Sequence, residues 1–353
     1  MEKLKIALIG CGTIANGRHI PAYLELKDQL EVKYCVDIIK ERAEAAAAKF
    51  EGCKAVTDYH DILASKEIDA VTICTPNGTH EKISIDFVWA GKHVLCEKPL
   101  SVNYESCCRI LAAAREKGVM FNVGLCNRFR KSIIKIKELI CGGDLGEVYH
   151  IYCSFRKFRS IPGLGRAFTT KAESGGGVLI DWGVHLFDII LFTCGIRNIK
   201  TVSANTYNEI GKNISEYLYK EMWAGPADLN GINDVEDFVS GFIRTDGPSI
   251  SFNGAWAQNI DEENMYIEFL GSKGGIKLDY YGKYTLYTQK NGVFYTSQAD
   301  YNDNDMFYSE IEAFVQSIRS GECSHNNIQN VMELQKLLDT VYRSAEVQKE
   351  IVL

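Results

Sequence analysis

Three side chains that lie far apart in the sequence have the types needed for proton transfer to or from an alcohol. Asp181 and His185 are four residues apart at the start of a predicted helix, so they face the same way. A histidine with a pKa near neutrality can take a proton from a hydroxyl group, and a nearby carboxylate can orient it. Lys98 closes a predicted strand, where its ammonium can stabilise a developing alkoxide. The sequence therefore predicts an acid–base group; for His185 alone, a hydrogen-bonded core histidine is the alternative.

A glycine-rich turn between a strand and a helix predicts a dinucleotide site. Gly10 and Gly12 allow a tight turn close to a pyrophosphate, and the helix that follows offers N–H groups to the phosphates. Asp37 ends the second predicted strand, where its carboxylate accepts ribose hydroxyls and repels a 2′-phosphate, so NAD is favoured over NADP. Arg42 either stacks on the adenine or is a solvated helix residue. The predicted cofactor contacts of the turn itself are Gly10, Gly12, Thr13 and Ile14.

The elements that must position these residues fall into two unlike halves. Over residues 3–142, short apolar runs alternate with helical segments, which predicts βαβ units and a parallel sheet covered on both faces. From about residue 147, alternating apolar and polar residues at 235–244, 249–258 and 265–270 are typical of an antiparallel sheet with one covered face. The predicted helices of this half are 183–193, 305–319 and 326–348.

Composition excludes some classes of function. The chain has 39 Lys+Arg against 46 Asp+Glu, and this net charge of −7 argues against nucleic acid or an anionic membrane as a partner. The N-terminus lacks an apolar signal segment, and no run of about 18 apolar residues predicts a membrane span.

The cysteines favour a reducing compartment. None of the 12 forms a C-x-x-C pair, and a secreted disulfide scaffold would be shorter and richer in loops. Cysteines in apolar runs behave as small reduced hydrophobic residues. We therefore expect a cytoplasmic location. The five predicted strand cysteines are Cys35, Cys74, Cys96, Cys126 and Cys153.

Four motifs together resemble the Gfo/Idh/MocA oxidoreductase family, which includes inositol dehydrogenases and glucose–fructose oxidoreductase. They are GCGTIA at 10–15, TPNGTH at 75–80, EKP at 97–99 and GGGVLIDWGVH at 175–185, in the order and spacing of the family. The resemblance implies an α/β plus α+β fold, with an N-terminal Rossmann parallel sheet and a C-terminal, mostly antiparallel open sheet with helices. The predicted domains are 1–125 for the dinucleotide and 126–353 for substrate and oligomer contacts, with the C-terminal helices as candidates for packing back on the first domain.

The resemblance also implies roles for individual residues. Lys98, Asp181 and His185 would form the catalytic group, and Glu97 would lie near the nicotinamide ribose. The cofactor would be NAD, with NADP the less favoured choice. Further cofactor contacts implied by the resemblance are Thr75, Pro76, Asn77, His80, Asn127, Arg128 and Lys98 itself.

Substrates of the family are mostly sugars, cyclitols and their derivatives, oxidised at a secondary hydroxyl. We expect the substrate wall in the loop 155–173 and the insertion 217–233. Aromatic faces suit the C–H faces of a pyranose, and arginines suit hydroxyls or a carboxylate, although each residue has a packing or solvated role as its alternative. The substrate candidates besides the catalytic group are Arg159, Arg166, Phe168 and Trp182.

The lead hypothesis is an NAD-dependent dehydrogenase acting on a pyranose or glycoside, with oxidation of the 3-hydroxyl to a keto sugar included because some relatives do this. A cyclitol dehydrogenase is the close alternative. An NAD-dependent glycosidase and a non-catalytic NAD-sensing regulator are two others. A zinc enzyme fits poorly, because the His and Cys residues form no ligand cluster in the sequence, and no metal is predicted. A homo-oligomer (dimer, tetramer or larger) is expected through the exposed sheet face, unless the C-terminal helices cover it.

Overall fold

A computed structural model describes residues 2–353 of the chain. Through residue 124, strands and α-helices alternate as the apolar periodicity predicts, except that a 3₁₀ turn rather than an α-helix separates β3 from β4. They are β1 Leu4–Ile9, α1 Ile20–Glu25, β2 Leu30–Val36, α2 Lys40–Ala47, β3 Lys54–Val56, β4 Ala70–Ile73, α3 His80–Trp89, β5 His93–Glu97, α4 Tyr104–Lys117 and β6 Phe121–Gly124.

Strands dominate after residue 142, with helices before and after them. The elements are α5 Lys131–Cys141, β7 Val148–Arg156, α6 Lys171–Ser174, α7 Val184–Cys194, β8 Ile199–Tyr207, β9 Phe238–Thr245, β10 Ser249–Ala255, β11 Asn264–Gly271, β12 Gly274–Asp279, β13 Tyr284–Lys290, β14 Val293–Gln298, α8 Met306–Ser320, α9 Met332–Val347 and β15 Ile351–Val352.

The chain forms two compact units. Unit 1 comprises the residues through Phe129 together with Asp305–Met332, and unit 2 comprises Arg130–Asn304 together with Glu333–Leu353. Unit 1 is therefore made of two separate segments of sequence, and α8 belongs to it.

The sheet of unit 1 is parallel throughout, with the strand order β3-β2-β1-β4-β5-β6. Its central strands are continuous apolar runs because helices cover both faces. The order reverses between β1 and β4, and in such sheets ligands bind beyond the carboxyl ends of the strands at this point. The predicted Rossmann sheet is confirmed. The sequence analysis missed β3, because this three-residue edge strand is mostly exposed and carries no apolar run.

The sheet of unit 2 has the order β14-β13-β12-β11-β7-β10-β9-β8-β15 and is antiparallel except between β7 and β10. One face packs on α7, where Phe187 lies edge-on to Phe155 of β7 and Phe252 of β10, with ring centroids 6.2 and 5.0 Å away. The mostly antiparallel sheet predicted for this half is confirmed.

Helix α7 continues an apolar helical stretch that covers Lys171–Cys194. Contrary to the expectation from the sequence, this stretch is long enough, and over an 18-residue window apolar enough, to span a membrane. The sequence expectation counted only uninterrupted apolar runs, whereas polar residues and glycines interrupt the apolar residues of this helical stretch. Because 78% of that window is buried inside the protein, the stretch has the character of a core helix.

The structure differs from the sequence predictions at two cysteines and at the start of the last helix. None of the 12 cysteines forms a disulfide within residues 2–353, and Cys35, Cys96 and Cys153 lie in strands as predicted. Cys74 instead follows β4, and Cys126 lies in a 3₁₀ turn because the chain leaves the sheet at Gly124. The helix predicted over 326–348 begins only at residue 332, since the Asn326 side chain donates to the Val123 carbonyl of β6 and the Asn327 side chain accepts the Gln329 N–H.

Candidate functional site

The turn after β1 has a backbone that only glycine accommodates. Gly10 has φ +90° and donates its N–H to the Val36 carbonyl at 2.7 Å. A Cβ at this position would lie 2.6 Å from the Cys74 carbonyl oxygen, so β1 and the chain after β4 approach each other closely. At Gly12 a Cβ would meet nothing within 4 Å. The turn therefore faces open space where a pyrophosphate fits, as the glycine spacing predicts.

The helix that follows begins with a π-turn, Ala15–His19, before α1. Asn16 donates its side-chain amide to the carbonyls of Cys11 and Gly12 at 2.7 and 3.0 Å, which holds the glycine turn against the helix. No side chain caps the N-terminus of the π-turn. Its leading N–H groups, at the predicted contacts Thr13 and Ile14, therefore suit a phosphate.

Asp37 is fixed at the carboxyl end of β2. It is 8% exposed, and its two carboxylate oxygens accept N–H bonds from Cys11 and Ile39, each at 2.9 Å. A carboxylate has about four acceptor positions, so capacity remains for hydroxyl groups of a ribose. Arg42 lies exposed on α2, so its predicted stacking on adenine stays a prediction. The residues at this end of the sheet fit an NAD molecule.

The 75–80 segment and the EKP turn are tied together by His80. This ring is fully buried, and its two nitrogens lie 2.9 Å from the carbonyl oxygens of Pro99 and Thr75. Burial lowers the pKa of His80. Thr75 also accepts a hydrogen bond from the Thr79 hydroxyl at 2.7 Å, and Asn77 begins a 3₁₀ turn that follows Pro76. His80 thus has a structural position within unit 1, and its predicted nicotinamide contact stays a prediction.

Glu97 and Lys98 end β5. The Glu97 carboxylate is 7% exposed, lies 2.7 Å from His19 Nε2 and accepts the Lys98 N–H at 3.1 Å. Burial alone would raise the pKa of Glu97, but the hydrogen bond from His19 and the charge of Lys98 lower it. His19 was missed by sequence reasoning, because a histidine inside an apolar helix resembles an ordinary core residue. Its position shortly after the glycine turn was the available signal.

In unit 2, Asp181 is held by an indole. Trp256 Nε1 donates to Asp181 Oδ2 at 3.1 Å, and the two residues are 1% and 8% exposed. Asp181 lies in the π-turn Leu179–Gly183, so its four-residue spacing to His185 crosses from a π-turn into α7. His185 is half-buried, with its ring edge-on to Tyr280 at 6.3 Å between centroids. Trp256 and Tyr280 were both missed, because each reads as a sheet-core aromatic in the sequence.

The glycine run 175–177 packs against a buried carboxylate that sequence reasoning also missed. Glu236 accepts N–H bonds from Gly177 and Leu179 at 2.8 and 3.0 Å and a hydroxyl bond from Tyr342 at 2.8 Å. A Cβ at Gly177 would collide with the Glu236 carbonyl, and one at Gly176 with the Tyr342 hydroxyl. Burial raises the pKa of Glu236, although these hydrogen bonds oppose the shift. The run therefore positions the turn that carries Asp181.

The two predicted substrate loops pack on each other. Arg166 Nε donates to the Pro226 carbonyl at 2.8 Å, and Phe168 lies edge-on to Trp223 with centroids 4.9 Å apart. The Arg159 carbonyl accepts N–H bonds from residues 220 and 221, and its guanidinium bonds Asn259. The loop 155–173 is also bonded to Trp256, the residue that bonds Asp181, because the Ser160 N–H donates to the Trp256 carbonyl at 2.9 Å.

Trp182 stands apart from these loops. Its ring packs edge-on against Tyr280 at 5.3 Å, and its indole Nε1 is buried without a hydrogen-bond partner among residues 2–353. The structure thus packs the loop of Arg159, Arg166 and Phe168 against the segment 217–233 and places Trp182 in the same π-turn as Asp181. None of these contacts tests a substrate role, which stays a prediction.

Comparison with protein families decides the relationship. A model described as "Oxidoreductase family, NAD-binding Rossmann fold" matches residues 4–125, and the GFO/IDH/MocA C-terminal domain matches residues 133–277. The chain belongs to the GFO/IDH/MocA oxidoreductase family. The resemblance drawn from the four motifs is confirmed, and so is the assignment of an NAD-binding Rossmann fold.

Among curated relatives, a D-glucoside 3-dehydrogenase of Escherichia coli (strain K12) is 30% identical over 346 residues, which cover 97% of this chain and 95% of that protein. An inositol 2-dehydrogenase of Saccharopolyspora erythraea is 27% identical and covers 90% of this chain and 86% of that protein.

Solved structures share the fold of this GFO/IDH/MocA chain. A levoglucosan dehydrogenase in complex with NADH has a TM-score of 0.85 at 20% identity, and 99% of each chain is covered. An aldose-aldose oxidoreductase from Caulobacter crescentus has a TM-score of 0.83 at 20% identity, with both chains fully covered. At this level of identity, the likeness speaks to the fold alone.

Two of the predicted cofactor residues lie where the two sequence segments of unit 1 meet. Asn127 and Arg128 lie in the 3₁₀ turn after β6 and are 2% and 3% exposed. The Arg128 guanidinium donates to the carbonyls of His325 and Asn330 at 2.6 and 3.3 Å. Arg128 thereby anchors the second segment of unit 1, and a cofactor contact of this pair stays a prediction.

Proposed function

We propose that this chain is an NAD-dependent dehydrogenase that oxidises a secondary hydroxyl of a sugar or glycoside, with the 3-hydroxyl of a glucoside as the first position to test. The observation that carries the proposal is the match over 97% of the chain to a D-glucoside 3-dehydrogenase, at 30% identity. The presence of Lys98, Asp181 and His185 supports an active enzyme. We assign the cofactor to residues 1–125 and the substrate and association surfaces to residues 126–353.

The cofactor would be held by the glycine turn and by Asp37. Bound NAD⁺ supplies the hydride acceptor. Gly10 and Gly12 allow the backbone to approach the pyrophosphate, and the Asp37 carboxylate, already fixed by two N–H bonds, is available to ribose hydroxyls. Exposed Ile38 follows Asp37 and offers no positive charge to a 2′-phosphate.

The proton chemistry falls to three side chains. His185 takes the hydroxyl proton as general base, and Lys98 holds the substrate oxygen and opposes its negative charge. Asp181, fixed by the Trp256 indole, orients His185 and stabilises the imidazolium. Because Trp256 occupies one oxygen of Asp181, the other oxygen is the one assigned to the imidazole.

The deciding experiment is a substrate screen with the purified protein. Methyl glucosides, free glucose, levoglucosan and myo-inositol are each incubated with NAD⁺, and NADH and product mass are followed together. We expect NADH together with a keto sugar lighter by two hydrogen atoms. A keto-sugar acceptor is included in parallel, so that turnover on a retained cofactor is also detected.

Each alternative has its own outcome in the same screen. Turnover of myo-inositol alone would indicate a cyclitol dehydrogenase, a reading that the 27% identical inositol 2-dehydrogenase supports. Free sugar released from a glycoside without NADH would indicate a glycosidase. Binding of NAD without turnover of any compound would indicate a regulator and would overturn the proposal.

We also propose that the uncovered face of the unit 2 sheet associates with a second copy of the chain. Tyr152 and Tyr207 on this face are 45% and 46% exposed, and His150 stacks on Phe242 beside them. Apolar surface of this kind is typical of an association site. Light scattering should give a dimer or larger assembly, and Tyr152→Glu should reduce its mass; a monomeric wild type would contradict this.

The absence of disulfides supports a proposed cytoplasmic location. None of the 12 cysteines forms a disulfide within residues 2–353, although Cys53 and Cys35 have sulfurs 3.7 Å apart. Alkylation of protein denatured without reductant should label all of them. Native disulfides in that experiment would overturn the location.

A further inference from the structure

A buried hydrogen bond joins the helix after the dinucleotide turn to the end of the strand that carries Lys98. His19 Nε2 lies 2.7 Å from Glu97 Oε1, and the two residues are 0% and 7% exposed. Both belong to unit 1, although 78 positions separate them in sequence. A pair so deeply buried must be matched in charge and hydrogen bonding, because an unmatched buried ion is strongly destabilising.

The π-turn Ala15–His19 determines where the His19 ring lies. Such turns are rare and are often found at functional sites, because the extra residue changes which side chains face inward. The ring packs between Tyr23 of α1 and Phe307 of α8, with centroids 6.1 and 5.9 Å away. Its Nδ1 is buried and has no hydrogen-bond partner within the described chain. A proton on Nδ1 would therefore lack an acceptor, so the geometry favours a neutral ring with its proton on Nε2, donated to Glu97.

Glu97 is fixed on its other side as well. Its Oε2 accepts the Lys98 backbone N–H at 3.1 Å. A Cβ at Gly124 of the neighbouring strand β6 would lie 3.1 Å from both Cδ and Oε2 of Glu97, so glycine there leaves room for the carboxylate. The carboxylate is thus clamped between His19 and the first peptide of the EKP turn.

We propose that His19 is a positioning residue that holds Glu97 ionised in one orientation, and that Glu97 in turn fixes the backbone of Lys98 and balances its charge. The helix that begins at the dinucleotide turn is thereby linked to the position of the catalytic ammonium. This inference rests on the proposed function only in the kcat measurements, which use turnover to detect displacement of Lys98. The tautomer of His19 in the His19–Glu97 pair is measurable without substrate.

Three variants separate positioning from packing. His19→Leu keeps the volume but removes the donor, and His19→Gln keeps an N–H near the position of Nε2. The double variant His19→Leu/Glu97→Gln removes the buried charge that the single variant leaves unmatched. Tyr23→Phe is the matched control, because it changes a buried ring neighbour of His19 that bonds Thr72 and not Glu97.

In turnover, His19→Leu should lower kcat by about 10–100-fold, as expected when a reacting group is displaced by an ångström or less. NAD affinity should stay within about threefold, since His19 itself is not among the predicted phosphate or ribose contacts and Glu97 is unchanged in this variant. His19→Gln should recover most of kcat, and Tyr23→Phe should leave it unchanged. Wild-type kcat in His19→Leu would overturn the proposal.

The pH dependence of kcat distinguishes the two roles, because a loss of packing alone would not add a new ionisation. Without His19, burial should raise the pKa of Glu97, so kcat of His19→Leu should gain a new acid-side loss that the double variant lacks. The other titratable groups facing Glu97 are Lys98, Tyr23 of α1, Cys74 after β4, Cys96 of β5 and His80 of α3. They are unchanged in His19→Leu and in the double variant, so an ionisation that appears only in His19→Leu is assigned to Glu97. A profile identical to that of the wild type would contradict the inference.

Nitrogen-15 NMR of the imidazoles tests the pair in the protein without substrate. His19, assigned by its loss in His19→Gln, should show a protonated Nε2 and a bare Nδ1 in the folded protein. An Nδ1–H tautomer would overturn the inference even if dehydrogenase activity is found. Should the wild type oxidise none of the sugars, the proposed function fails, while this tautomer measurement still decides the role of His19. Unfolding temperatures identify variants that fail to fold, and the double variant should regain the stability lost in His19→Leu.

Discussion

Glu97 in unit 1 and Glu236 in unit 2 are buried carboxylates with nearly equal exposure, 7% and 8%, yet their environments act in opposite directions. Glu97 has a histidine partner and the charge of Lys98 nearby, and its pKa is lowered. Glu236 accepts three hydrogen bonds, but all come from uncharged groups, and burial raises its pKa. Charge compensation, rather than the number of donors, therefore separates the two.

Neither Glu97 nor Glu236 is assigned a role in proton transfer; the proposed general base is His185. His185→Ala should lower kcat by about 10²–10⁴-fold, because general base catalysis contributes this much. NAD affinity should be nearly unchanged, since the glycine turn and Asp37 belong to the other unit. Steady-state kinetics and NAD titration check both, with the exposed His60→Ala as control. Near-normal turnover in His185→Ala would mean that another group accepts the proton.

Asp37 extends the comparison to a carboxylate that accepts two N–H bonds and is still predicted to meet a ligand. Asp37→Ala should weaken NAD binding by about 10–100-fold, as expected for lost hydrogen bonds to a charged group, and narrow the gap to NADP. Fluorescence titration with both dinucleotides measures this. Tighter binding of NADP than NAD by the wild type would show that the assignment is wrong.

Asp181 offers a further carboxylate, held by a neutral donor like those around Glu236. Trp256→Phe removes one hydrogen bond of about 1 kcal/mol while keeping most of the ring volume, so kcat should fall about fivefold. The KM for NAD should not change. If kcat is unaffected, the indole N–H does not orient Asp181, whereas Phe252→Leu tests whether core packing alone produces such an effect.

The smallest expected effects concern the free energy of unfolding, to which Glu97 and Glu236 should contribute pH dependences of opposite sign. Glu97, with its lowered pKa, contributes stability above the ordinary value of 4.5 that is lost as pH falls through its folded-state pKa. Glu236, with its raised pKa, contributes stability below 4.5 that is lost as pH rises through its folded-state pKa. Urea unfolding should show that Glu97→Gln removes the acid-side loss and Glu236→Gln the alkaline-side loss. Slopes of the same sign would break the comparison.

Local patterns explain why one side of the site was predictable. The glycine turn, Asp37 and the EKP turn follow apolar strands, and the carboxyl ends of parallel strands meet at one edge, so sequence order alone places them. His19, Glu236 and Trp256 act through contacts made over 57–78 residues of sequence, which periodicity does not encode. The glycine run 175–177 marked that something packs closely there, but the identity of the neighbour required the fold.

The return of the chain to unit 1 has a consequence for biosynthesis. Ile311, Phe314 and Val315 belong to the same buried cluster as Leu8 and Tyr23, and Arg319 and Asn326 bond Gln29 and Val123. A nascent chain that has reached Phe129 therefore lacks part of its first core until residue 332 has left the ribosome. At about 5–20 residues per second, the incomplete core waits roughly 10–40 s for its last residues, a period in which its apolar surface is open to chaperones.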